Sequence, residues 1–284
     1  MELTFKEFLR GGKEQLSAAG FPEVDAEHLL AHVLGISRME LHNPLAVENA
    51  ITAIGDITLI EESFWKLLDR RIAHEPLQYL TGIAYFRYLE LEVGPGVLVP
   101  RPESELLVEA VLKNIEGRTG AVSVVDLGAG SGALTLAIAT EAPQTHVIAV
   151  EKDPEAVFWL RKNVALISED VRILECDVAD ALEGVKCDVV IANPPYVPDG
   201  QELPRDVAEH EPAVALYGGS TGMEIPQRFI VAAARLLKSG GFFAIEHHES
   251  QPVSIAASLA EEFIDIENHK DLLGRPRFTT GTRR

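Results

Sequence analysis

Apolar positions recur at helical spacing through the first 75 residues. Phe5, Phe8 and Leu9 make one apolar side, and Gly20 stops its continuation. Between Pro22 and Gly35, residues Leu29, Leu30, Val33 and Leu34 fit a helix entered at proline and left at glycine. Asn43-Pro44 predicts a turn, after which Thr58 and Glu61 stand at capping-box spacing ahead of Phe64, Leu67, Leu68 and Ile72. Residues 1–75 therefore read as a small helical module. From Pro76 the period falls to two: Leu89, Leu91 and Val93 alternate with Glu90 and Glu92, and Gly94-Pro95-Gly96 turns the chain into Val97-Leu98-Val99. Residues 76–100 are thus expected to form a β-hairpin linker. Pro100-Arg101-Pro102 breaks the strand, and a helix carrying Leu106, Leu107, Ala110 and Val111 opens residues 101–284.

Beyond residue 122 strands and helices alternate. Residues 122–126, 146–151, 171–175, 188–192 and 242–246 read as strands, and 132–141, 154–166 and 224–238 as helices. Alternation of this kind predicts a doubly wound, mostly parallel sheet of the Rossmann-like α/β class, with ligands at the carboxyl ends of its strands.

Composition then limits the chemistry. The 284 residues suffice for two domains, and 46% hydrophobic with 24% charged residues is an ordinary globular mixture. A formal charge of -19 repels phosphate backbones and anionic membranes, so no direct nucleic-acid partner is expected. No apolar run is long enough to span a bilayer, and Glu2, Lys6, Glu7 and Arg10 interrupt any signal-peptide core. Cys176 and Cys187 lack metal-ligand spacing, so no metal is expected and a reducing, cytoplasmic setting is. His28, His32 and His42 share no pattern with acidic residues, which gives the helical module a structural or partner-recognition role.

Candidate chemistry gathers at four strand ends. Asp126-Leu127-Gly128-Ala129-Gly130-Ser131-Gly132 is a glycine loop that lets a ligand lie against backbone at a helix N-terminus. Glu151 ends the second strand about 20 residues on, where a carboxylate can accept both hydroxyls of a ribose. Cys176-Asp177-Val178 follows the third strand and can bond an adenine amino group and flank its ring. Asn193-Pro194-Pro195-Tyr196 ends the fourth. The two prolines stop the ladder and leave carbonyls exposed, Asn193 adds an amide, and Tyr196 adds a flat face with a hydroxyl. Such an acceptor pair beside an aromatic wall suits a planar N–H group. Arg101 and Glu105, at the break before the first helix of the sheet region, are further candidates: an exposed ion pair on one reading, a pocket arginine on the other.

Residues 122–246 resemble a class I S-adenosylmethionine-dependent methyltransferase, which implies a seven-stranded sheet. Asn193-Pro194-Pro195-Tyr196 is similar to the motif of enzymes that methylate planar nitrogens, whether in nucleic-acid bases or in protein glutamine. Glu75-Pro76-Leu77-Gln78-Tyr79-Leu80-Thr81-Gly82, Val97-Leu98-Val99-Pro100-Arg101-Pro102-Glu103-Ser104-Glu105, Glu211-Pro212-Ala213-Val214-Ala215-Leu216-Tyr217-Gly218-Gly219, Glu246-His247 and Asp271-Leu272-Leu273-Gly274-Arg275-Pro276-Arg277 resemble the bacterial peptide chain release factor N5-glutamine methyltransferases of the HemK/PrmC type. Thr221 and His248 depart from that family's usual Asp and Gly. The resemblance implies S-adenosylmethionine on Asp126, Leu127, Gly128, Ala129, Gly130, Glu151, Asp177, Val178 and Asn193. It implies class 1 release factors as the protein substrate, with the acceptor glutamine held by Asn193, Pro194, Pro195 and Tyr196. Glutamine in a ribosomal protein, an exocyclic base amine, and a binding module without catalysis are the alternatives.

Overall fold

A computed structural model describes residues 5–168 and 170–284. Residues 1–4, Glu2 among them, and residue 169 lie outside the described residues. In chain order the helices are α1 (Phe5–Ala18), α2 (Val24–Leu34), α3 (Pro44–Ile54), α4 (Ile57–Ile72), α5 (Leu77–Thr81), α6 (Glu105–Glu116), α7 (Ala133–Glu141), α8 (Pro154–Ile167), α9 (Arg205–His210), α10 (Ala213–Leu216), α11 (Glu224–Leu236) and α12 (Pro252–Leu259). The strands are β1 (Ile83–Phe86), β2 (Leu89–Glu92), β3 (Val122–Leu127), β4 (Thr145–Glu151), β5 (Arg172–Glu175), β6 (Cys187–Ala192), β7 (Val197–Pro198), β8 (Tyr217–Gly219), β9 (Leu237–Glu246), β10 (Phe263–Lys270) and β11 (Pro276–Arg283).

The chain divides into two units: Met1–Gly82 with Pro204–His210, and Ile83–Leu203 with Glu211–Arg284. In the first, Leu16, Leu29, Leu30, Phe64 and Leu68 are fully buried where α1, α2 and α4 pack. Asn43-Pro44 starts α3 instead of making a free turn: the Asn43 side chain accepts from the Leu45 N–H at 3.1 Å, and proline at the first helical position forfeits no hydrogen bond. The cap of α4 is Asp56, whose carboxylate accepts from the N–H groups of Thr58 and Leu59, so the expected Thr58 capping box is displaced by two residues.

The second unit is a seven-stranded sheet in the order β10-β11-β9-β6-β3-β4-β5. Only β11 runs against its neighbours. Helices α6, α7 and α8 cover one face through Leu107, Leu136 and Leu160, and α11 and α12 cover the other through Phe229, Ala233 and Ile255. Burying each large apolar side chain contributes about 1.5–3 kcal/mol, which offsets the ordering of two helical layers on one sheet.

The linker departs from expectation. The hairpin exists, but β2 pairs with β1 across Arg87-Tyr88, with Phe86 opposite Leu89. Val97-Leu98-Val99 forms no strand. Backbone at Gly94 and Gly96 is pressed against α8, where an added Cβ would stand 2.5 Å from the Trp159 ring and 2.6 Å from the Glu155 carboxylate. Trp159 Nε1 donates to the Pro95 carbonyl at 3.1 Å, and the Val99 N–H is directed to Glu211 Oε2 at 3.3 Å, leaving no ladder to join. Strand β9 also starts earlier than expected, at Leu237, and runs through Gly240-Gly241.

Candidate functional site

Strand periodicity sets which side chains meet. On β3, Val124 faces the α6–α8 layer and Val125 and Leu127 face the α11–α12 layer, so Asp126 points toward α7. The same count on β6 and β9 puts Asn193 and Glu246, each one residue past a strand position on the α11–α12 side, on the α6 side as well. Register places them beside each other, since Ala192 pairs with Ile245. Strand order reverses between β3 and β6, the position at which open α/β sheets form a crevice. A cleft of about 960 Å³, its open mouth included, lies there, walled by Gly128, Gly130, Glu151, Asp177, Val178 and Asn193 among others.

The glycine loop is held by its neighbours. Gly128 and Ala129 donate to the Val150 carbonyl at 2.8 and 3.0 Å, and Gly130 donates to Glu151 Oε2 at 2.9 Å. Gly128 and Gly130 have φ of +74° and +55°, and a Cβ at Gly128 would meet the Phe229 ring at 3.1 Å. Leu127 and Ala129 turn into the two cores and offer only backbone. Glu151 is more occupied than the sequence implies, because Oε1 accepts from the Lys152 and Asp153 N–H groups at 2.8 and 2.9 Å. Of the roughly four acceptor directions of a carboxylate, three are filled by backbone.

Asp126 lies beneath the loop, fully buried. Its Oδ2 accepts from Thr135 Oγ1 at 2.6 Å, and its Oδ1 has no partner. Burial, with the nearby Glu151 charge adding to it, pushes its pKa from 3.8 up to about 7. Asp177 has the opposite balance. The Ala179 N–H, bonded at 3.0 Å, holds its pKa below the usual range against partial burial, aided by Arg228 at 2.8 Å and Lys152 at 3.8 Å.

At the fourth strand end Asn193 Nδ2 donates to Ser104 Oγ at 3.1 Å, and Ser104 Oγ donates to Glu246 Oε2 at 2.5 Å. Tyr196 donates its hydroxyl to Glu246 Oε1 at 3.0 Å; burial raises the pKa of both Tyr196 and Glu246. Tyr196 therefore carries its hydroxyl toward a buried carboxylate and not into the cleft. Pro194 is buried and Pro195 lines the cleft. Gly218 and Gly222 cross this loop so closely that a Cβ at Gly218 would stand 2.7 Å from the Pro195 carbonyl, and one at Gly222 2.4 Å from that of Tyr196. Gln251 clasps the same loop, donating to the Tyr196 carbonyl at 3.0 Å.

Arg101 and Glu105 are not paired with each other. Arg101 bonds the buried Glu211 at 2.5 Å, whereas Glu105 accepts from the Arg87 N–H at 2.9 Å and so secures the β1–β2 turn, away from the cleft. Of the two departures from the family pattern, Thr221 donates through N–H and Oγ1 to Glu224, and His248 contacts Gln201 at 3.3 Å and Ser250 at 2.8 Å. Sequence reasoning missed Thr135, Ser104, Arg228 and Phe229 as site residues. Glu246 carried a usable signal, a carboxylate ending the apolar run Phe242-Phe243-Ala244-Ile245, as Glu151 ends its own strand. Among the described residues no cluster has the makings of a metal site, and no helix is long and apolar enough to cross a membrane.

Comparisons with known proteins agree with this geometry. Residues 102–210 match the family model of the methyltransferase small domain, and residues 7–82 that of the PrmC N-terminal domain. The release factor glutamine methyltransferase of Mycolicibacterium smegmatis is 40% identical over 278 residues, 94% of each chain. That of Escherichia coli is 34% identical over 286 residues, 98% of this chain and 99% of its own. Among solved structures, a T. thermophilus 16S rRNA N2 methyltransferase in complex with AdoMet and guanosine is 26% identical with a TM-score of 0.53. The match covers 71% of this chain and 50% of that one. A methyltransferase from Pyrococcus furiosus, at 20% identity and a TM-score of 0.50, covers 69% of this chain and 88% of its own and shares the fold.

Proposed function

We propose, because the chain belongs to the release factor glutamine methyltransferase family, that it transfers a methyl group from S-adenosylmethionine to the side-chain amide nitrogen of the glutamine in the Gly-Gly-Gln tripeptide of class 1 peptide chain release factors. The observation that carries this reading is that Asn193 walls the same cleft as Gly130, Glu151 and Asp177, so an acceptor clamp and a nucleoside-type site share one space.

The residues present fit S-adenosylmethionine. Positive φ at Gly128 and Gly130 keeps the loop free of side chains where the methionine part would lie, with Asp126, Leu127 and Ala129 shaping that loop from below. The remaining acceptor direction of Glu151 is assigned to the ribose, and Asp177 and Val178 to the adenine. When bound, the sulfonium supplies an electrophilic methyl group. The chain's own task is to make an amide nitrogen, whose lone pair is delocalised into its carbonyl, act as the nucleophile. Asn193 Oδ1 and the Pro194 carbonyl accept the two amide hydrogens, Pro195 and Tyr196 fix the loop that presents them, and the lone pair is aimed along one direction. Because the nitrogen grows more positive as it attacks, these acceptors bind the transition state more tightly than the ground state.

The helical unit, residues 1–75 with α5 following them, is assigned to gripping the release factor. Glu105 is left out of the clamp, and Arg101 is given an indirect role through Glu211. The reaction is assigned to the cytoplasm, where release factors act on ribosomes. The test is incubation with labelled S-adenosylmethionine and, separately, release factor, release factor with that glutamine changed to alanine, ribosomal proteins, and DNA. Label on the intact release factor alone is expected. Equal label on the alanine variant, or label on DNA, overturns the reading.

A further inference from the structure

We propose that Ser104 and Glu246 are positioning residues that lock the Asn193 side-chain amide with its carbonyl oxygen toward the acceptor. The inference rests on the reading of Asn193 as the amide clamp and concerns what makes that clamp point one way.

An asparagine amide has two ends of nearly the same shape, one accepting and one donating. Reversed, it would offer the substrate amide two N–H groups where an acceptor is needed. Nothing in the shape of the cleft forbids that. The hydrogen-bond inventory does. Glu246 is 1% exposed and receives two hydroxyls, Tyr196 on Oε1 at 3.0 Å and Ser104 on Oε2 at 2.5 Å. As a carboxylate it can only accept, so the single Ser104 proton is committed to it. The Ser104 oxygen is then left as an acceptor only, and the Asn193 atom facing it at 3.1 Å must be a donor, Nδ2. With Nδ2 committed to Ser104, Oδ1 is the end left for the cleft that Asn193 lines.

The lock is built from three separated chain segments, the turn before α6, the end of β6 and the end of β9, and is buried, since Ser104 is 3% exposed. Groups facing Glu246 from the surrounding elements are Ser104 and Glu103 ahead of α6, Tyr196 after β6, and Arg277 on β11, which is itself bonded to Asp271 at 3.1 Å. Arg277 supplies positive charge that favours the carboxylate form, against the burial that raises the Glu246 pKa. Protonating Glu246 would free the Ser104 hydroxyl to donate toward Asn193 and release the amide to turn.

Two measurements on the full chain test this. The first needs no turnover: with isotope-labelled asparagine, the Asn193 Nδ2 protons should be slow to exchange and should shift as Glu246 titrates, and Ser104→Ala should abolish both features. The second is kinetic, on release factor. Ser104→Ala should lower kcat about tenfold or more with the KM for S-adenosylmethionine close to wild type, and should lower the melting temperature by no more than the lost hydrogen bond to Glu246 accounts for. Ser104→Thr, which keeps the hydroxyl, should recover most of both. In wild type kcat should fall as pH drops through the raised pKa of Glu246, and Ser104→Ala should flatten that limb. Asn193 Nδ2 protons unaffected by Ser104→Ala, or a variant that turns over like wild type, would overturn the lock. Failure of the wild-type chain to methylate release factor overturns the functional reading instead, and the exchange measurement still decides the lock.

Discussion

Asp126 makes stability depend on pH in a direction opposite to that of a salt-bridged carboxylate. Its folded pKa of about 7 lies above the 3.8 of an ordinary aspartate. Between those values the folded state binds more protons than the unfolded one, so stability is full below the lower value and is lost as pH rises through the higher. That interval, at about 1.36 kcal/mol for each pH unit, is worth on the order of 4 kcal/mol. Asp126→Asn removes the titration. It also sets an Nδ2 donor where Oδ1 now lacks a partner, a constant cost of about 1–3 kcal/mol that does not vary with pH. The difference in unfolding free energy, variant minus wild type, should therefore rise by about 2 kcal/mol between roughly pH 5.5 and pH 7 and then level off. Urea unfolding followed by Trp159 fluorescence in a Trp65→Phe background reads the sheet unit alone, which matters because a two-unit chain need not unfold in one step. A difference that stays flat across that range would mean Asp126 is ionised throughout, and that its burial is relieved by something other than protonation.

Asn193→Ala should lower turnover on release factor by at least about tenfold, or roughly 1.4 kcal/mol of transition-state stabilisation, while S-adenosylmethionine affinity by calorimetry changes little. Gly218→Ala should cost about 1–3 kcal/mol by overpacking, because all three atoms its Cβ would meet within 3 Å are backbone, and should reduce kcat by moving Pro195 and Tyr196; unchanged kcat would uncouple that crossing from the clamp. Gly12→Val should disturb the helical unit selectively, its Cβ falling 2.5 Å from the Phe64 ring. Methylation of the intact release factor should then fall more than methylation of a short peptide bearing the same glutamine, and equal losses would deny the helical unit a part in recognition.

The sheet was legible because its parallel strands are short apolar runs ended by a polar residue. Two of those residues, Glu151 and Asn193, line the cleft, while Asp126 and Glu246 are buried beside it. Glu151 and Asp177 illustrate the limit of that reading. Their position at strand ends follows from periodicity, but the backbone donors that occupy Glu151, and the Arg228 and Lys152 beside Asp177, come from helix and loop positions with no periodic signal. The linker misled for a related reason. Gly94-Pro95-Gly96 has the composition of a hairpin turn, and only the bulk of Trp159, 64 residues away in sequence, makes it a docking surface for α8. Ser104 had no signal of its own: a serine in a proline-broken turn becomes part of the site only because Asn193 and Glu246 converge on it from strands that end side by side.

The reversed strand has a consequence for how the molecule is made. Among the described residues β11 is the last strand in chain order, yet it lies inside the sheet, between β9 and β10. During synthesis β9 must wait as an open ladder while β10 emerges without a neighbour, and neither is closed until residues 276–283 leave the ribosome. An unpaired apolar edge at that stage is a template for pairing with another chain. Asp265, Glu267 and Lys270, carried by β10 and already made at that stage, supply the charge that discourages it on that strand.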